Sequence, residues 1–128
     1  MMVEMPGEES VGSSRIPASL EGFFGIAEKW SLSTEEQLNL LGSPGRSTFF
    51  KWKKEGGSLP KDTLERVSHI LNIYKCLEIL LPVPERADFW IKKSNDYFQG
   101  MSALEVMLGG QVVDIYRVRQ YLDAQRGG

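Results

Sequence analysis

The chain has 128 residues, with 15 Lys and Arg against 17 Asp and Glu, a formal charge of −2 at pH 7. An apolar share of 41% and a charged share of 25% describe a globular chain rather than a disordered one, long enough for one compact unit or two small ones on a shared core. The near-neutral balance excludes a surface that clings to nucleic acid everywhere, so any DNA contact has to come from a local patch.

Residues 1–18 are rich in Gly, Ser, Glu and Pro and read as a flexible tail, because they offer little apolar surface to offset backbone ordering. They also lack the apolar stretch of a secretory signal, and no apolar run in the chain approaches the roughly 20 residues that cross a bilayer. Leu20, Phe23, Phe24, Ala27 and Trp30 then recur at intervals of mostly three and four, a helical stripe. Ser33 and Glu36 have the spacing of a capping box, which opens a helix over Thr34–Leu41 that buries Leu38 and Leu41 and stops at Gly42.

Gly42-Ser43-Pro44-Gly45 is a turn by composition. The segment Arg46–Lys54 follows as a helix with Phe49 and Trp52 inward and Arg46, Ser47, Lys51 and Lys54 outward. Pro60 precedes a long helical pattern over Lys61–Leu81, with Leu64, Val67, Leu71, Tyr74, Leu77 and Leu81 assigned to one face. Pro82-Val83-Pro84 ends it, and Pro84 suits the first turn of the next helix, running through Ala87, Trp90 and Ile91 to about Lys93. Ser94–Gly100 reads as a loop. Ser102 caps a short helix over Ala103–Leu108, and Gly109-Gly110 ends it. A last helix, Gln111–Gln125, carries Val112, Ile115, Val118 and Leu122 on its apolar face. No segment shows the period-two pattern of a strand, and the expected fold is all-α.

A helix, a tight turn and a second helix are the parts of a helix-turn-helix reader, whose second helix lies in the major groove. That helix has to pack inward on apolar side chains while offering donors to phosphates and base edges. Arg46–Lys54 holds four cations and no acid in a chain that is acidic in sum. The candidate DNA-binding residues are therefore Arg46, Ser47, Thr48, Lys51, Lys53 and Lys54. The competing reading is a solvated basic helix face, and the turn plus the apolar spacing favour the DNA reading over it.

Catalysis needs a positioned nucleophile, base or metal set, and none can be assembled: the chain lacks the phosphate-loop, H-E-x-x-H and G-x-S-x-G motifs. The single Cys76 and the single His69 can make neither an internal disulfide nor a four-ligand zinc site, and both read as structural. The expectation is a non-enzymatic cytoplasmic protein with no cofactor, no metal and no membrane contact.

From Phe23 onward the sequence resembles the antitoxins of the MbcA/ParS/Xre family, which are paired with RES-domain toxins. Leu40-Leu41-Gly42 followed by Arg46-Ser47-Thr48-Phe49-Phe50-Lys51-Trp52-Lys53 is similar to the family's Xre-type helix-turn-helix. Leu64-Glu65-Arg66-Val67 with Leu71-Asn72-Ile73-Tyr74 is similar to its connecting helix. Phe89-Trp90-Ile91, Asn95 and Gly100-Met101-Ser102-Ala103-Leu104 look like the start of its toxin-binding domain. Met107-Leu108-Gly109-Gly110 and Asp114–Leu122 match its closing helices, the most distinctive block. The chain departs from the family pattern at Ser94 and Ala103, where proline is common, and in its extended Ser43-Pro44-Gly45 turn.

The resemblance implies a two-ended protein, with an Xre-like DNA-binding domain at 19–81 and a toxin-binding domain at 82–128. It implies operator DNA and a RES-domain toxin as partners, the toxin consuming NAD or transferring ADP-ribose. It also implies a homodimer or a larger toxin–antitoxin hetero-oligomer. In the family the C-terminal segment covers the toxin's active-site cleft, which here points to Arg117, Arg119, Tyr121, Leu122, Gln125, Arg126, Gly127 and Gly128. Tyr121 and Leu122 are expected to anchor that contact, with Arg126 and the slim terminus reaching in. The alternative is a stand-alone helix-turn-helix repressor.

Overall fold

A computed structural model describes residues 16–127. The tail expected over residues 1–18 falls, for residues 1–15, outside the described residues, and its inner end is shorter than expected because Ala18 already opens the first helix. Seven α-helices follow: α1 (Ala18–Lys29), α2 (Thr34–Leu40), α3 (Arg46–Glu55), α4 (Lys61–Leu80), α5 (Pro84–Trp90), α6 (Ala103–Met107) and α7 (Val112–Gln125). A 3-10 turn at Asp96–Phe98 lies between α5 and α6. The described residues hold no strand, only a single antiparallel bridge between Ser94 and Ser102, so the fold is all-α.

Local chemistry sets most boundaries. Ser33 Oγ accepts from the Glu36 amide at 3.1 Å while Glu36 Oε1 accepts from the Ser33 amide at 2.9 Å. Ser102 and Glu105 repeat the arrangement at 3.0 and 2.8 Å ahead of α6, so two orphan amides are satisfied at each start. Pro84 occupies the first turn of α5, where its missing N–H costs nothing. Between α5 and α6, Asn95 Oδ1 accepts from the Tyr97 amide at 2.9 Å, and Gln99 and Gly100 turn the chain at φ of 58° and 89°.

One apolar cluster runs from Phe23 to Leu122 and draws on every helix. The 20-residue α4 is its axis, packed against α1 and α7. Gly22 of α1 allows a close approach to α4, since a Cβ there would lie 2.9 Å from Leu71 Cδ2. His69 of α4 meets Tyr116 and Arg119 of α7, and seven residues on Cys76 meets Asp123 and Arg126. The two helices therefore run in the same direction.

The face assigned to α4 needs correction. Val67 and Leu77 are buried as expected, but Leu64 is 45% exposed and Leu71, Tyr74 and Leu81 are only partly covered. The buried stripe is instead Thr63, Arg66, Val67, Ile70, Ile73, Cys76 and Leu77. A helix covered on two sides hides a broader band than a single three-four stripe describes, and that band includes polar side chains with internal partners.

Candidate functional site

The first candidate surface is α3. Phe49 is fully buried and Trp52 is 6% exposed, and Phe24 of α1 meets Phe49 edge-on with ring centroids 5.8 Å apart. This inward anchoring leaves Arg46, Ser47, Thr48, Lys51, Lys53 and Lys54 all exposed. They do not stand alike. Arg46 is paired with Glu35 of α2, which ties the two helices together and offsets part of its charge. Lys53 Nζ lies 5.8 Å from the centre of the Phe24 ring, a cation–π distance that draws it toward α1. Lys51 and Lys54 project from the exposed side of the helix. Phe50, not singled out from the sequence, is 47% exposed beside them; its position one residue after the buried Phe49, about 100° round the helix, was the available signal.

Five residues, Leu41–Gly45, separate α2 from α3. Gly42 and Ser43 both adopt positive φ, 95° and 60°. Gly42 is required twice over, by that φ and by packing: a Cβ there would fall 2.9 Å from Asp62 Oδ2 and 3.1 Å from Arg66 Nε.

The second candidate surface is α7 with the loops before it. Arg117, Gln125, Arg126 and Gly127 are exposed, and Gly128 lies outside the described residues. Leu122 does not belong with them. It is 2% exposed, in the core with Ile115 and Val118, so its side chain packs inside the chain rather than on its surface. Tyr121 is half-buried in an aromatic cluster, stacked on Trp90 at 6.2 Å and in contact with Tyr97 at 4.4 Å and Phe98 at 5.4 Å. Arg119 turns inward: its Nη1 donates to His69 Nδ1 at 2.9 Å and its Nε lies 3.6 Å from Asp123 Oδ2. On the other side of the ring, His69 Nε2 lies 3.4 Å from Glu65 Oε2. Arg126 also folds back, with Nη1 3.7 Å from Cys76 Sγ, rather than extending beyond the helix. Burial pushes the Cys76 thiol above its usual value, opposed by its hydrogen bond from Arg126 and reinforced by Asp123, a balance that favours the protonated thiol.

The exposed stripe of α7 is Val113, Tyr116, Arg117, Gln120 and Ala124, opposite Ile115, Val118 and Leu122. Phe89, 67% exposed, lines a groove with Leu81, Glu85, Arg86, Trp90 and Lys93, and Tyr97, 65% exposed, packs on Phe98 and Tyr121. Phe89 entered the sequence reading only through the family motif and Tyr97 only within a loop, because isolated aromatics in short elements carry no periodic signal.

Comparison with known proteins divides the chain between two modules. The family model described as the antitoxin Xre-like helix-turn-helix domain matches residues 14–72. The model described as the antitoxin Xre/MbcA/ParS C-terminal toxin-binding domain matches residues 76–128. The chain belongs to the Xre/MbcA/ParS antitoxin family. It is also 67% identical over 119 residues to the "Uncharacterized protein y4oB" of Sinorhizobium fredii, a match that spans 93% of this chain and 92% of that protein.

The first match spans α1 to α3 and the first part of α4, and the second spans the end of α4 and α5 to α7. Both matched families are binding modules rather than enzyme families. Among the described residues no helix of the antitoxin is long and apolar enough to cross a membrane, and no three His, Cys, Asp or Glu side chains gather where they could hold a metal ion.

Proposed function

We propose that this antitoxin neutralises a RES-domain toxin, an enzyme that consumes NAD or transfers ADP-ribose, by covering its active-site cleft, and that it represses its own operon by binding operator DNA. The observation that carries this reading is the presence of an Xre-like helix-turn-helix and an antitoxin toxin-binding domain side by side in one chain. Labour divides as residues 19–81 for DNA and 82–128 for toxin. The setting is the cytoplasm, where promoter DNA and NAD are both at hand.

At the DNA end, Lys51 and Lys54 meet phosphates, Ser47 and Thr48 read base edges, and Phe50 supplies an apolar surface for a thymine methyl. Gly45 gives α3 no side-chain cap, so the first-turn amides are free to meet a backbone phosphate. Arg46 reaches DNA by exchanging Glu35 for a phosphate or guanine, and Lys53 contributes by moving off the Phe24 ring. Paired half-sites about 34 Å apart call for two copies, as a homodimer or within a toxin–antitoxin hetero-oligomer.

At the toxin end, Arg117, Gln125 and the Arg126–Gly128 terminus enter or cover the cleft. Tyr121 presents the edge of its aromatic cluster and Arg119 orients the helix through His69 and Asp123. Leu122 supports the contact from inside the core. Arg126 exchanges its Cys76 contact for an anionic group in the cleft when toxin binds.

The test is co-expression with the product of the adjoining gene, followed by size exclusion and an NAD-consumption assay. A stable complex with suppressed NAD loss is expected, and a chain ending at Gln125 should bind yet suppress less. Full suppression by that shortened chain refutes the role of the terminus. No complex at all, with tight promoter binding, refutes the toxin half and leaves a stand-alone repressor.

A further inference from the structure

Four backbone carbonyls at the ends of α2 and α6 are met by side chains, and two of those bonds, from Arg66 to Gly110 and from Asn39 to Leu108, cross between the two binding halves. Arg66 of α4 is 7% exposed. Its Nε donates to Asp62 Oδ2 at 2.8 Å, its Nη2 to the Gly110 carbonyl at 3.1 Å, and its Nη1 lies 3.5 Å from the Asn39 carbonyl. Asn39 of α2 in turn donates from Nδ2 to the Leu108 carbonyl at 3.1 Å, and Thr63 donates to the Leu41 carbonyl at 3.0 Å. Asn39 and Leu41 stand at the end of α2, directly before the turn that sets α3. Leu108 and Gly110 stand in the α6–α7 connection, directly before α7.

A buried guanidinium is costly to leave unpaired, so its acceptors cannot move independently. If α7 shifts and takes the Gly110 carbonyl with it, Arg66 is left with an unpaired donor in a buried place. Its other partners, the Asn39 carbonyl and the Asp62 carboxylate against which Gly42 is packed, then readjust at the base of α3. Asn39 Oδ1 is also buried, with no hydrogen-bond partner among the described residues. An orphaned acceptor is a cost that a small rearrangement removes, which suits a point of adjustment better than a point of pure support.

We propose that Arg66 and Asn39 form a coupling joint between the two ends of the molecule, so that engagement of α7 by toxin changes the operator affinity of α3. The reverse effect has the same factor, since coupling between two binding events is reciprocal. The inference rests on the two-ended reading above and adds the residues through which the ends sense one another.

The test measures the dissociation constant for the fragment upstream of the gene, with and without a saturating amount of the adjoining gene's purified product. Full-length wild type, Asn39→Ala and Arg66→Lys are compared. The wild-type coupling factor is expected to be about five-fold or more. In both variants it falls toward one, while toxin affinity without DNA stays within about two-fold. A merely supporting role would lower the melting temperature and leave the coupling factor unchanged, which overturns the proposal. Should Arg66→Lys fail to fold, Asn39→Ala, which loses one half-buried hydrogen bond, decides the matter alone. A wild type that binds both partners with a factor of one refutes the joint only; a wild type that binds neither refutes the two-ended reading and the joint with it.

Discussion

Leu122→Ala separates the two roles open to that side chain. Leu122 is 2% exposed on the buried face of α7, within the most extensive helix–helix packing of the fold, that of α4 with α7. The substitution removes three carbons, about 2.4 kcal/mol of transfer free energy at about 0.8 kcal/mol per buried methylene. The cavity left behind brings the expected cost to about 3–5 kcal/mol. For a chain of this length each kcal/mol shifts the melting temperature by about 3–5 °C, so thermal unfolding followed by circular dichroism should show a fall of at least about 10 °C. Toxin affinity, measured cold enough to keep the variant folded, should stay close to wild type. The exposed Gln125→Ala is the counterpart: unfolding unchanged to within about 0.5 kcal/mol, with toxin affinity reduced. If Leu122→Ala melts like wild type but no longer binds toxin, the inward placement of Leu122, and with it the rotation of α7, is wrong.

Lys51→Ala and Lys54→Ala should each weaken binding to all DNA sequences alike. Each should also flatten the dependence of log affinity on log salt by about 0.9 for every phosphate no longer neutralised. Arg46→Ala and Ser47→Ala should instead alter sequence preference; equal effects of all four on unrelated DNA would sink the base-reading assignment. Ser102→Ala, which removes the side-chain cap of α6, should cost about 1 kcal/mol in a denaturant titration, and an unchanged midpoint would show that α6 does not depend on its cap. The Cys76 thiol is raised in the folded chain by burial, from an ordinary value near 9.0. Its contribution to stability is therefore complete below that value and is lost as pH climbs through it toward the folded value. Tyr74, raised by burial and then by Asp88 and Glu78, acts in the same direction at higher pH. Urea midpoints should fall on the alkaline side, less steeply in Cys76→Ala; identical slopes would exclude Cys76 as a contributor.

The helices were legible in the sequence wherever a cap or a breaker sat at the right place. Ser33 with Glu36, Ser102 with its short helix, and Pro84 all mark observed starts. The inward pair Phe49 and Trp52 followed from spacing alone, and it suffices to turn the cations of α3 outward. The face of α4 was misassigned because two overlapping apolar stripes share Val67 and Leu77, and the one that is buried, through Ile70 and Ile73, also contains Arg66, which argues against it by composition. Arg66 is hidden only because Asp62 and two backbone carbonyls from elsewhere in the chain meet it, and long-range partners leave no trace in local periodicity. Leu122 shows the converse: the spacing of α7 already set it on the apolar face with Ile115 and Val118, and the structure buries it there, while the family resemblance alone named it a contact. Which of the exposed α7 residues touch toxin depends on a surface that this chain does not contain.

The seam between the two matched modules falls at residues 73–75, inside α4 rather than in a loop. That position makes the helical phase of α4 a matter of inheritance. One residue inserted at Ile73–Lys75 would swing the downstream half by about 100° around the axis, carrying α7 away from His69 and breaking the hydrogen bond from Arg66 to Gly110. An insertion of seven would restore the phase but push the halves about 10 Å apart. Exchange of toxin-binding halves between relatives is thus constrained to substitutions in register, and hybrid antitoxins should fold only when the join preserves the residue count across this stretch.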